Sequence, residues 1–137
     1  MASAITSRED IAWAGGLFEG EGSFYIVRWK DGSHSPRAVA KVSMTDLDSV
    51  ERFARSVGIG KARGPYGDKR TANRKPLYTW EVTGLEKVQA VVAMLWPFLG
   101  ERRKATARVV LGLDESRSAS VAQRARRQRE RTVINNG

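Results

Sequence analysis

The residues able to do chemistry in this chain are few, and the notable acidic ones fall in one stretch. Trp13 to Phe24 reads WAGGLFEGEGSF, with two carboxylates, Glu19 and Glu21, set among four glycines. There is no cysteine, which excludes disulfides and thiolate metal sites, and a lone histidine, His34, excludes a multi-histidine zinc site. Upstream, Thr6 and Ser7 are each followed three residues later by an acid, Glu9 and Asp10, the spacing of a capping box. Ile11, Ala14, Gly15 and Phe18 then recur at helical spacing, predicting a helix that runs into the two acids. Gly15 and Gly16 inside it cost ~1 kcal/mol each relative to alanine. Glu19 and Glu21 fall at the end where the helix dipole favours cations. A helix that accepts both costs implies close backbone approach at the glycines and a use for negative charge at its end. The plainer alternative is a helix C-terminus with a glycine stop and two solvated acids.

Ala14-Gly15-Gly16-Leu17-Phe18-Glu19-Gly20-Glu21-Gly22 resembles the nine-residue LAGLIDADG motif of homing endonucleases, and Trp13 before it and Ser23-Phe24 after it also suit that family. The resemblance implies a helix that packs against a second copy of itself. Trp13, Ala14, Gly15, Gly16 and Leu17 would then form the contact, with the small residues allowing close approach. It also implies that Glu21 binds a divalent metal at the scissile phosphate, helped by the carbonyl of Gly20, and that Glu19 is mainly structural. Most relatives carry Asp where Glu21 stands.

Charge gives an independent pointer. The chain has 24 basic and 15 acidic residues, a net +9. Residues 116–137 hold six arginines and one glutamate, so this tail contributes +5 and the remainder +4. Such a balance suits a polyanion, most often nucleic acid, although a solvated basic surface would give the same figure. At 137 residues one domain is expected, 1–115, followed by the Arg-rich tail 116–137. No apolar run approaches the ~20 residues of a membrane span. With no targeting segment visible, an intracellular, cytoplasmic location is the expectation.

The elements that must position these residues follow in order. Ser23 to Trp29 alternates as a strand, with Phe24 and Ile26 toward the core and Tyr25, Val27 and Trp29 on the other face. Lys30 to Pro36 has turn chemistry and contains His34. Arg37 to Met44 is a second strand, with Ala38, Ala40 and Val42 inward and Arg37, Val39, Lys41 and Ser43 outward. Thr45 with Asp48 can cap a helix whose stripe is Leu47, Val50, Phe53, Ala54 and Val57, stopped at Gly58-Ile59-Gly60. Lys61 to Lys75 carries Arg63, Lys69, Arg70 and Arg74 around Tyr66, which suggests a short strand and a basic hairpin tip. Pro76 to Thr83 reads as a fourth strand with Tyr78, Trp80 and Val82 on one face. Thr83 with Glu86 can cap the next helix, whose stripe of Leu85, Val88, Val91, Val92 and Leu95 runs to Pro97. A last helix spans Glu101 to Leu113, with Ala105, Val109 and Leu113 on one face. No internal repeat is visible.

Four antiparallel strands backed by helices make an α+β layer. This αββαββα order is also that of one LAGLIDADG subunit, so the resemblance covers about residues 7–113. One sheet face is left for a partner. It would carry Tyr25, Val27, Trp29, Arg37, Val39 and Lys41, joined by His34, Arg63, Tyr66, Lys69, Arg70, Arg74, Lys75 and Tyr78. A basic, partly aromatic sheet face can enter a DNA major groove, with phosphates giving affinity and base edges specificity.

A single motif copy implies, by resemblance, a homodimer. A twofold axis would bring two motif helices and two Glu21 carboxylates together, over a near-palindromic DNA site of about two helical turns. Carboxylate ligands suit Mg²⁺, with Mn²⁺ or Ca²⁺ able to occupy the same site. A basic residue near the cut is also expected. Following Pro97-Phe98-Leu99, Arg102 is the best match, with Arg103 and Lys104 as alternatives. The residue often used to orient water corresponds to Met44, which cannot do so; Ser43 or Thr45 are neighbours that could.

The implied function is a homodimeric, metal-dependent, site-specific double-stranded DNA endonuclease of the kind encoded in introns. The alternative is a non-cleaving nucleic-acid-binding protein of the same fold, an intron maturase acting on RNA or a transcription regulator. A basic architectural protein without sequence preference is a third reading.

Overall fold

The structure is a computed structural model that describes residues 6–67 and 75–112. Lys69, Arg70 and Arg74 of the expected hairpin tip, and the Arg-rich tail, lie outside the described residues. The chain runs α1 (Arg8–Glu21), β1 (Gly22–Val27), β2 (Arg37–Met44), α2 (Leu47–Val57), β3 (Ala62–Tyr66), β4 (Leu77–Thr83), α3 (Leu85–Leu95), a 3₁₀ turn (Trp96–Phe98) and α4 over residues 101–112. The four strands form one antiparallel sheet in the order β1-β2-β4-β3, as the α+β reading requires.

The first helix begins where its capping box places it. The Asp10 amide donates to Ser7 Oγ at 3.0 Å, and the Ser7 amide donates to Asp10 Oδ2 at 3.1 Å. These bonds from Ser7, side chain first and backbone second, hold the Asp10 carboxyl below its ordinary pKa. The two later caps differ from the reading above. Asp46, not Thr45, caps α2, accepting from the Asp48 amide at 3.2 Å and the Ser49 hydroxyl at 2.8 Å. Gly84 precedes α3 with no side-chain cap in place of Thr83.

Period-two alternation sets the sheet faces. Phe24, Ala38, Ala40, Val42, Trp80 and Val82 all turn to one side and are buried beneath the helices. Phe18 of α1 anchors this layer, stacking near Phe24 at 4.5 Å and Phe53 at 6.1 Å between ring centroids. Trp80 meets Phe53 edge-on at 4.7 Å, and its indole N–H donates to the Ile59 carbonyl at 2.7 Å, so the buried ring keeps its polar atom satisfied. Ser23 to Trp29 is shorter than expected: β1 ends at Val27, opposite Arg37. Pro36 precedes Arg37 and has no N–H to extend the ladder. Trp29 therefore lies in the connection, where its ring meets His34 edge-on at 5.0 Å.

The last helix differs in phase. Ala107 and Val110 face the core, whereas Ala105 and Val109 of the expected stripe are exposed, Val109 at 64%. Val109, Val110 and Leu111 are three consecutive apolar residues, which permits two phases, and packing selects the one led by Ala107.

Candidate nucleic-acid interface

The two acids at the end of α1 lie in different surroundings. Glu19 is half-buried, and its Oε2 accepts from the Gly100 amide at 2.8 Å. Gly100 stands at the start of α4, where its carbonyl accepts from the Lys104 amide at 3.0 Å. The carboxylate that α1's own dipole disfavours thus sits at the positive end of another helix. A side chain at Gly100 would intrude on it, since a Cβ there would lie 2.7 Å from Glu19 Oε1. Arg103 completes the joint by donating from Nε to the Glu19 carbonyl at 3.2 Å, a cation at the C-terminal end of α1.

Glu21 is the last residue of α1 and is exposed; Gly22 opens β1 with no intervening loop. Among the described residues no hydrogen bond or ion pair engages its carboxylate. Gly20 beside it is also exposed. Hard-oxygen chemistry suits a divalent cation, but one carboxylate and one carbonyl fall short of six ligands. No group of three or more His, Cys, Asp or Glu able to hold a metal occurs among the described residues.

The cations at the start of α4 divide similarly. Arg103 is tied to α1, and Lys104 pairs with Glu101 at 3.9 Å and lies 5.3 Å from the Trp96 ring centre. Arg102 is exposed in the same turn, and no hydrogen bond or ion pair engages its guanidinium among the described residues. A cation at a helix N-terminus is electrostatically costly unless an anion meets it.

The glycine-rich face of α1 is narrower than expected. Ala14 is fully buried within this chain, and a Cβ at Gly15 would run into the Phe98 side chain, so both face the chain's own core rather than a free surface. Leu17 packs partly against that core. Trp13 is half-buried under the Arg52 guanidinium, 4.0 Å from the ring centre. Gly16 and Gly20, one helical turn apart, are exposed, and nothing lies within 4 Å of a Cβ built on either. They form the outward face.

The sheet face away from the helices carries Tyr25, Val27, Arg37, Lys41 and Arg63 as read from parity, with Tyr66 52% exposed at its edge and Lys75 exposed beyond it. Burial of the Tyr25 hydroxyl, and then the charge of Glu81, raise its pKa. Two expected contacts are corrected. Val39 has the right parity but is completely buried, flanked by Tyr25 on β1 and Thr83 on β4, so it has no surface to offer. Tyr78 turns the other way: it pairs with Met44 and packs on the core beside Trp80 and Val82. Met44 likewise packs on the core, and the neighbouring Ser43 hydroxyl is bonded to Thr79 at 2.9 Å. Leu77, Thr79 and Glu81 of β4 share the open face with Thr83, and these three line a groove of about 330 Å³ with Lys41, Ser43, Arg63 and Tyr66. Their signal was the parity of Trp80: if the indole is core, its odd-numbered neighbours face out.

This αββαββα arrangement, with its motif helix leading straight into the sheet, is the LAGLIDADG homing endonuclease fold. The homing endonuclease I-CvuI in complex with a DNA target superposes with a TM-score of 0.58 at 23% identity, over 77% of this chain and 67% of that one. The archaeal intron-encoded homing endonuclease I-Vdi141I, complexed with DNA, gives 0.57 at 19%, over 78% and 70%. The LAGLIDADG meganuclease I-CpaMI, bound to uncleaved DNA, gives 0.61 at 13%, over 79% of this chain and 39% of its own. No family model matches the sequence, and no curated protein sequence does. No helix among the described residues is long and apolar enough to cross a membrane.

Proposed function

We propose that this chain is one subunit of a homodimeric, metal-dependent DNA endonuclease that cuts both strands of a near-palindromic site. The observation that carries the reading is the division of labour between the two acids of α1. Glu19 is spent on the joint with α4, while Glu21 stands unpaired at the point where the helix enters the sheet. A twofold contact through Gly16 and Gly20 would supply the second carboxylate that a single chain lacks. In such a dimer the open faces would each cover one half-site, with Arg37, Lys41, Arg63 and Lys75 toward the DNA.

Glu21 of each subunit and the Gly20 carbonyl would hold Mg²⁺, which when bound would neutralise charge at the scissile phosphate and activate water. The exposed Arg102 would stabilise negative charge on the phosphate; as a guanidinium it holds its proton and acts by charge. The α1–α4 joint through Glu19, Gly100 and Arg103 would keep Arg102 and Glu21 in fixed relation.

One observation favours a second reading. Met44 packs inward, so the strand end offers no side chain there to orient water. A non-cleaving DNA- or RNA-binding protein would tolerate that. Purified protein incubated with a randomised duplex library and Mg²⁺ separates the two: recovery of cut ends supports the nuclease, and enrichment by binding alone supports the binder.

A further inference from the structure

Among the described residues the open sheet face is basic except at Glu81. Glu81 projects from the middle of β4, exposed, into a groove shared with Lys41 and Arg63. A carboxylate facing a polyanion weakens binding unless it finds a donor. Lys41 is its direct register partner across the strand pair, which puts their Cβ atoms about 5 Å apart. Yet among the described residues no ion pair within 4.0 Å joins them. Both residues thus line the groove without a hydrogen bond or ion pair to either charged end among the described residues. The next pair along, Ser43 and Thr79, is locked hydroxyl to hydroxyl and forms a fixed step beside them.

By their usual pairings a lysine suits guanine, which offers two acceptors, and a glutamate suits cytosine, which offers a donor, so the two side by side favour one base pair. In the major groove a G·C pair presents the N7 and O6 acceptors of guanine next to the N4 amino donor of cytosine. We infer that Lys41 and Glu81 together read a single G·C pair in each half-site, Lys41 donating to guanine and Glu81 accepting from cytosine. This assignment rests on the DNA-binding reading above. Glu81 contributes specificity at the expense of non-specific affinity, because it repels phosphates wherever the cytosine is absent.

The test is a binding selection on randomised duplex DNA in Ca²⁺, comparing the full chain with Glu81→Ala, Glu81→Gln and Lys41→Met, with thermal unfolding followed in parallel. Glu81→Gln is nearly isosteric and keeps a folded comparison if the alanine variant is lost. The full chain is expected to select G·C at one symmetric pair of positions. Glu81→Ala and Lys41→Met should each reduce discrimination there roughly tenfold and leave other positions unchanged. Glu81→Gln should move the preference toward A·T, since a glutamine amide suits adenine N6 and N7. Specific binding with a profile that these variants do not alter, or alter at two different positions, would overturn the assignment and leave the DNA-binding reading intact. No sequence preference in the full chain would overturn both.

Discussion

Glu19 and Glu21 are two residues apart, carry the same charge and have different fates. Glu19 is half-buried and bonded to the Gly100 amide; replacing it by alanine should cost about 2 kcal/mol of stability, the usual range for a hydrogen bond to a charged group, as read by thermal or urea unfolding. Glu21 is exposed and unpaired, so Glu21→Gln should leave the melting temperature unchanged and DNA binding largely intact while abolishing cutting. Joint loss of binding and of the dimer would show that Glu21 is structural instead. The acid side of the stability curve has its own signature. Asp10 and Asp31 are both held below the ordinary carboxyl value of 3.8, by Ser7 and Ser33 respectively. A lowered folded-state pKa gives stability that is present above 3.8 and is lost as pH falls through the lower folded value. Ser7→Ala should therefore lower stability at neutral pH, since it removes the cap of α1. Its deficit against the unsubstituted chain should shrink below pH ~4, as measured by unfolding across a pH series.

At the level of elements, α1 has two glycine faces with different tasks. Gly15 packs against Phe98 of the same chain, whereas Gly16 looks outward with Gly20. Gly15→Leu should destabilise the single chain by about 1–3 kcal/mol or more through overpacking. Gly16→Leu should leave the chain folded and break the dimer, seen as a halved mass by light scattering. A Gly16→Leu protein that remains dimeric would place the subunit contact elsewhere. The capping box of α1, both faces of β1 and β2, and the antiparallel α+β order were legible in the sequence, because they depend on local spacing. What was not legible depends on which of two compatible phases packing selects. Tyr78 shares parity with Trp80, yet its face could be assigned only once Trp80 was known to be core. Val39 has the outward parity but lies in an interior strand between Tyr25 and Thr83, and burial by flanking side chains leaves no periodic mark. In α4 the run Val109-Val110-Leu111 fits two stripes equally.

For the whole molecule, the proposed function joins a basic sheet face to the exposed Glu21 carboxylate, with a second copy supplying its counterpart. Positive charge on the face predicts DNA affinity that falls steeply as salt rises, with a retained sequence preference that a non-specific basic protein would lack. The Glu19 joint explains how one short domain holds its motif helix and α4 together without a separate clamp: the end of one helix neutralises the end of the other. The central claim is that two such domains cut DNA at a site set by their symmetry. Its most direct test is to incubate the full chain with randomised duplex DNA and Mg²⁺ and to sequence the cut ends. A near-palindromic site with a constant central stagger is expected, absent with Glu21→Gln. Absence of cut ends from a folded, dimeric protein, or ends that persist unchanged with Glu21→Gln, would contradict it.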